Sequence, residues 1–566
     1  MSLDLHGSFS GKTLFFTGVT GFVGKVFLFL LLKNFPDIKR IYVLIRTKKG
    51  QKPQDRFQEV VKSQCFDPLK AVIGEAEFQR RMSVVVAVSG DITEDRLGIE
   101  QKTYIEICET VNFIAHIAAT VDFQEKLNLS VQMNTLGGLR VVALARKCRQ
   151  LESMVHTSTC YVNWARDGRE NPVKEQLYPL AFDPEAMCKH ILSLHPTQLE
   201  SETKELLEKY NFPNTYTFTK SMGEHLIRKN KGRLPITIVR PSIIGCSYRD
   251  PYPGWVDALT AAGGLFLTVG LGIVSEFEVD GRSIADIVPV DHVCSTLIKA
   301  LYKTALHHKM TNASAITAPA STISSPNVGS IATVLSAVAP KISTSVVGGI
   351  VNGAVASQSI AVSSGSAPPQ RQAESVSSDD GSTFPLVFHS STSACMNNLT
   401  WGLARRGIMA YWNSGKRHPR AIGKADVMLL PNSYAFWVMH TLRRRAPFYA
   451  MKAMAHLPAP IGSEQKRKMV GKYEKALARA ADLRFQFHPF VSREWVFDQS
   501  NHKYLDEGLS DKALEAFPTD TYQVNWWTFI QLYNFGMCKF IIKSIDGRSE
   551  PLVPPSGAEV FARASL

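Results

Sequence analysis

Thr17-Gly-Val-Thr-Gly-Phe-Val-Gly24 follows the first apolar run of the chain, Leu14–Thr17, and opens an amphipathic stretch. Glycines at 18, 21 and 24 therefore stand three apart at a strand-to-helix junction. Glycine there lets the backbone turn tightly, lets a pyrophosphate reach the helix N-terminus, and lets the helix pack on its strand. Thr17, Gly18, Thr20, Gly21, Phe22, Val23 and Gly24 form the candidate dinucleotide-binding segment. A glycine triplet alone is a weak signal; its place at the start of an alternating pattern strengthens it.

That pattern runs outward from Thr17. Apolar runs at Ile41–Ile45, Val84–Val88, Val111–Ala115, Met154–Thr157 and Ile236–Val239 alternate with amphipathic segments. Such alternation predicts an α/β fold with a doubly wound parallel Rossmann sheet. The second run ends in Arg46, followed by Lys48 and Lys49, where an NAD enzyme usually carries an acid on the ribose. Cations suit the 2′-phosphate of NADP, so NADPH is the expected cofactor. Gly90-Asp91-Ile92 after the third run fits a turn reaching the adenine, and His116-Ile-Ala-Ala-Thr120 after the fourth, with Ala118 at its centre, offers small residues to the nicotinamide or ribose.

Tyr216-Thr-Phe-Thr-Lys220 places a phenol and an ammonium one helical turn apart. The ammonium stabilises a phenolate and can bond the cofactor ribose, so both residues are candidates for catalysis and for cofactor binding. The hydroxyls of His156-Thr-Ser-Thr159 follow a strand and could bind a substrate oxygen.

Together with Val155–Asn163, Val239-Arg-Pro-Ser-Ile-Ile244, Pro253-Gly-Trp-Val-Asp257, Asp286-Ile-Val-Pro-Val-Asp291, Arg493-Glu-Trp-Val-Phe-Asp498 and Asn525-Trp-Trp, these motifs resemble the alcohol-forming fatty acyl-CoA reductases. These are extended short-chain dehydrogenases with a helical C-terminal domain. The resemblance implies Tyr216, Lys220 and Thr159 as catalytic residues, with Ser158 as a substitute for Thr159. It also implies Asn134 as support for Lys220 in a proton relay. The activity implied is reduction of long-chain acyl-CoA by two NADPH to a primary alcohol, supplying wax ester or ether lipid synthesis. An aldehyde-forming thioester reductase, an enzyme acting on another carbonyl and a silent NADP- or lipid-binding protein are the alternatives. Two features depart from the family: a long insertion, and Ile273-Val-Ser-Glu276, which lacks the basic residue expected for a CoA phosphate.

The 566 residues exceed one core and predict residues 1–310 as an NADPH-binding reductase domain, with substrate-binding segments. Residues 311–383, rich in Ala, Ser, Thr, Val and Gly, are expected to be a disordered insertion. Residues 384–465 continue the substrate-binding region, and 466–566 form a small helical domain. Ala258–Ser275 is the longest uncharged stretch, but its glycines favour a pocket-lining loop over a membrane span.

Nine scattered cysteines, with no CxxC pair, suggest neither zinc nor disulfides, and Cys160 is expected as a small core residue more than a nucleophile. The net charge of +14 suits polyanions, but the motifs assign it to phosphorylated ligands, not nucleic acid. Tyr434-Ala-Phe-Trp-Val-Met439 beside Arg443, Arg444 and Arg445 fits peripheral membrane contact, with a buried helix as the alternative. Met1–Lys12 lacks the pattern of a signal peptide, and Ala564-Ser-Leu566 loosely resembles a peroxisomal tripeptide. The expected location is a peroxisome or related microbody, otherwise cytosol or a membrane surface. Oligomeric state stays open, a homodimer included.

Overall fold

A computed structural model describes residues 3–48, 50–259, 261–317, 384–415, 418–458 and 461–544. The greater part of the 311–383 insertion, Lys49 and Ala564-Ser-Leu566 lie outside the described residues.

Seven parallel strands form the central sheet: β1 Thr13–Thr17, β2 Arg40–Ile45, β3 Val85–Ser89, β4 Phe113–His116, β5 Ser153–Thr157, β6 Ile236–Pro241 and β7 Val387–Ser390. Their spatial order is β7-β6-β5-β4-β1-β2-β3. The order reverses between β1 and β4, so a crevice opens at their C-terminal ends, where doubly wound sheets bind ligands. Ten helices matter for the site: α1 Phe22–Asn34, α2 Gly137–Lys147, α3 Thr215–Lys231, α4 Ala261–Gly270, α5 Val290–Thr317, α6 Trp401–Asn413, α7 Ser433–His440, α8 Ala446–His456, α9 Glu464–Val491 and α10 Trp526–Gly536.

Side-chain alternation along the strands divides the core. Leu14 and Phe16 of β1 face one side with α1 and α5, whereas Phe15 faces the other with Leu139 of α2 and Phe218 of α3. Both faces of the sheet are thus covered, which is why its strands are nearly continuous apolar runs.

The six strands expected from sequence form at or within two residues of their runs. Three expectations need correction. First, α5 continues to Thr317, so residues 311–317 belong to a helix rather than to the insertion. Second, Ala258–Ser275 is not a loop throughout: Ala261–Gly270 is helical. Its small residues permit close packing, with Gly263 against Tyr533 of α10 and Gly270 against Trp412 of α6. Third, the described part of residues 466–566 is mainly helical but does not form a core apart. Leu505, Phe517, Trp526, Phe529 and Tyr533 belong to the same hydrophobic cluster as Phe16 and Phe27. The strand Trp495–Phe497 also pairs with Gly168–Val173.

Candidate active site

The crevice between β1 and β4 opens into one cavity of about 710 Å³. Backbone makes its first wall. Gly18 has φ +90°, and a Cβ there would stand 2.9 Å from the Ala118 nitrogen. A Cβ on Gly24 would strike the Gly18 carbonyl. These glycines are required by the turn and by helix–strand contact, as a dinucleotide loop needs. Thr17 Oγ1 ties the loop to β4, accepting from the nitrogens of Ile117 at 3.2 Å and Ala118 at 3.1 Å.

Of the candidate cofactor residues, Thr17, Gly18, Thr20, Gly21, Phe22, Val23 and Gly24 line this wall. Arg46, Lys48, Asp91, Ile92 and Ala118 line it further along. Asp91 Oδ1 accepts from Thr93 N and Oγ1, each at 2.9 Å. Arg46 lies 3.9 Å from the other Asp91 oxygen. A third cation, Arg56, donates to the Arg46 carbonyl at 2.6 Å and to Thr20 Oγ1 at 3.3 Å. It stands on the helix Pro53–Val61 that follows β2, and no motif announces it. Burial and then the Arg46 charge hold its pKa below the usual arginine value. Two guanidiniums crowded beside the glycine turn are an anion site by construction. The residues fit a nicotinamide dinucleotide.

At the other end, Tyr216 and Lys220 stand on α3, whose N-cap Asn214 accepts from Thr217 N at 2.9 Å. Lys220 is buried and donates to the Thr157 carbonyl at 2.8 Å. Burial lowers its pKa to about 8, against the raising influence of Glu224. Burial pushes the Tyr216 phenol up to about 12, while a hydrogen bond to Thr159 pulls it back. The phenol is thus a proton donor near neutral pH, with an ammonium one turn away.

Thr159 Oγ1 also faces the Pro241 carbonyl and the Tyr161 nitrogen, both at 3.4 Å. Ser158 lines the cavity, and its buried Oγ has no protein partner. Asn134 is buried between the loop after β4 and α3. Its side chain accepts from Thr120 N at 3.0 Å and donates to the Thr120 carbonyl and Thr219 Oγ1, so it makes no side-chain bond to Lys220. It fastens the loop after β4 to α3. Cys160 is fully buried, its thiol against the Arg240 carbonyl and its pKa driven far up by burial. A nucleophile needs the opposite.

The wall facing Tyr216 is aromatic. Phe123 lies 5.9 Å from the Tyr216 ring and stacks at 5.2 Å on Phe490, which meets Tyr161 edge-on at 5.0 Å. Phe490, Phe487, Gln486 and Val491 come from the C-terminal turns of α9, and Ala258, Leu259, Ala262 and Leu265 from α4 and the residues before it. Sequence reasoning placed the α4 segment here but missed α9. Glu276, where a basic residue was expected, is buried and ringed by His440, Arg443 and Arg444 at 3.6–3.8 Å. Burial raises its pKa, but His440, Ser275 and Arg444 outweigh that and leave it lowered.

Fold and site together define an oxidoreductase of the extended short-chain dehydrogenase kind, with a dinucleotide crevice joined to an apolar pocket. Residues 16–297 match the NAD-binding domain of the family described as male sterility protein, and residues 453–544 match its Sterile domain. Fatty acyl-CoA reductase 1 of Xenopus laevis is 26% identical over 95% of this chain and 86% of its own. The human protein of that name is 26% identical over 94% and 85%. The terminal R domain from the myxalamid PKS-NRPS pathway superposes with a TM-score of 0.49 at 17% identity, over 94% of this chain and 92% of that one. The chain belongs to the fatty acyl-CoA reductase family.

Proposed function

We propose that the protein reduces long-chain fatty acyl-CoA to a primary fatty alcohol and CoA, using two equivalents of NADPH. The observation that carries this reading is the position of Tyr216. It stands where the dinucleotide crevice meets the aromatic wall from α9, within one cavity.

NADPH, when bound, supplies the hydride for each of the two reductions. Arg46, Lys48 and Arg56 would hold its 2′-phosphate, and the glycine turn its pyrophosphate. Thr159 and Ser158 donate to the oxygen of the thioester as negative charge develops, worth about 3–4 kcal/mol per well-placed donor. Tyr216 delivers its proton to that oxygen, giving a hemithioacetal, and Lys220 steadies the phenolate left behind. Collapse of the hemithioacetal releases the thiol of CoA and leaves an aldehyde in the cavity. Tyr216, reprotonated, serves the aldehyde oxygen in the same way and yields the alcohol. The apolar wall holds the acyl chain at about 0.8 kcal/mol per buried methylene, so the aldehyde stays bound between the two steps.

A membrane surface is the proposed source of substrate. α7 buries none of its residues, and Tyr434, Trp437, Leu442 and Tyr449 of α7, α8 and the turn between them are all exposed beside Arg445. Among the described residues no helix is long and apolar enough to cross a membrane. An exposed aromatic face bordered by cations suits anionic headgroups. A peroxisome or related microbody is the proposed location.

Long-chain acyl-CoA supplied with NADPH or NADH, followed by product identification, tests the proposal. A primary alcohol formed preferentially with NADPH is expected; free aldehyde as the sole product would replace it with the aldehyde-forming reading.

A further inference from the structure

A polar row crosses the sheet directly beneath the catalytic pair. Thr17, His116 and His156 are register partners on the adjacent strands β1, β4 and β5. Their neighbours Phe15, Ile114 and Met154 point to the face covered by α2 and α3, and the period of two puts all three on that same face. Each is at most 1% exposed. The two imidazoles stand 5.1 Å apart, and Gly138 of α2 closes over His156, where a Cβ would come within 3.3 Å of the ring.

The hydrogen bonds fix one ring. Thr17 Oγ1 accepts from two backbone nitrogens, so its own proton goes to His116 Nδ1 at 2.9 Å. Neutral His116 then carries its hydrogen on Nε2, and that atom has no protein partner. Neither nitrogen of His156 has one either. Three orphaned polar atoms in a dry interior are costly, and such groups call for an internal water or a catalytic role. Packing alone would be served better by leucine.

Lys220 is the group they can serve. It donates to the carbonyl of Thr157, the residue after His156, and both rings feel its charge. A water donor and acceptor placed among an imidazole N–H, an imidazole lone pair and an ammonium would have the two to four partners that a buried water needs. We propose that His116 and His156 hold an internal water against the Lys220 ammonium and act as positioning residues that keep it protonated during turnover. The turnover clause rests on the function proposed above; the water site does not.

Other charges around Lys220 are accounted for. Glu224 on α3 is locked to Arg240 of β6 by paired bonds of 2.6 and 2.8 Å, and Tyr216 lies one turn away on α3. The imidazoles themselves stay neutral: burial, then the Lys220 charge, lowers His116 to about 3 and His156 well below its usual value.

The test follows the Lys220 titration by lysine-selective ¹³Cε labelling in the protein without cofactor or thioester, with Lys220→Gln to assign the signal. His156→Leu is expected to lower the Lys220 midpoint by about one pH unit, while His156→Gln, which keeps a polar partner, restores it. The alkaline limb of kcat should move the same way, with NADPH binding unchanged as the check on folding. A crystal structure should show ordered water touching His116 Nε2. An unchanged midpoint in His156→Leu, or a dry cluster, would overturn the proposal, whatever the substrate proves to be. If His156→Leu does not fold, His116→Leu reads the same midpoint from the other side of the water.

Discussion

The two halves of the cavity are built in opposite ways. The cofactor half is made of backbone and short-range sequence: a glycine turn, the ends of neighbouring strands and cations on one rim. The half proposed to hold the acyl chain is made of side chains brought from far apart, with Phe123, Tyr161 and Phe490 meeting across more than three hundred residues. Backbone walls recognise what every dinucleotide shares. Side-chain walls can change in size and shape without disturbing the fold, so substrate preference belongs on the acyl side. Tyr216 sits on the seam, and substitutions on either side should separate the two functions.

The largest expected effect is at the seam itself. Tyr216→Phe removes the proton donor and should lower kcat by about 10²–10⁴, with NADPH binding retained by fluorescence titration. On the acyl side, Phe490→Ala opens the aromatic wall and should cost about 3–5 kcal/mol of stability. In the folded fraction KM for long-chain acyl-CoA should rise while KM for NADPH holds. On the cofactor side, Arg46→Ala with Arg56→Ala should weaken NADPH about 10–100-fold, each guanidinium supplying a charge-assisted bond, and leave NADH nearly unaffected. Equal losses for both cofactors would mean that the cations serve the fold.

The smallest effects are those of pH. Lys220 is held at about 8 by burial, so the reductase needs its cation and should lose activity as pH rises through that value. Stability should change in a different window. His116 and His156 are depressed in the fold, so the unfolded chain binds more protons below its histidine value of 6.5. The histidines' contribution to stability is therefore full above that pH and is lost as the medium is acidified; thermal melts across pH 7 to 4 would show it.

The same contrast explains what the sequence disclosed. The glycine turn, Arg46 and the tyrosine–lysine pair are local patterns whose chemistry needs no partner from elsewhere, and all of them line the cavity. The parts that Arg56 and α9 play in the cavity have no local pattern because they arise from contacts across the fold: Arg56 reaches Thr20, and Phe490 reaches Phe123. The strand Val387–Ser390 gave no sign either, since its four residues end in His and Ser and follow a long compositional break. Glycine content misled at α4, where small residues serve helix packing and not a loop. Asn134 was named only by the family resemblance, because its bonds to Thr120 and Thr219 join segments that no local pattern links.

The central claim is that one cavity performs both reductions before the product leaves. The direct measurement is the ratio of NADPH oxidised to CoA released when long-chain acyl-CoA is the only substrate. A ratio of two, with no aldehyde trapped by an added carbonyl reagent, is predicted. A ratio of one with aldehyde in solution would contradict it.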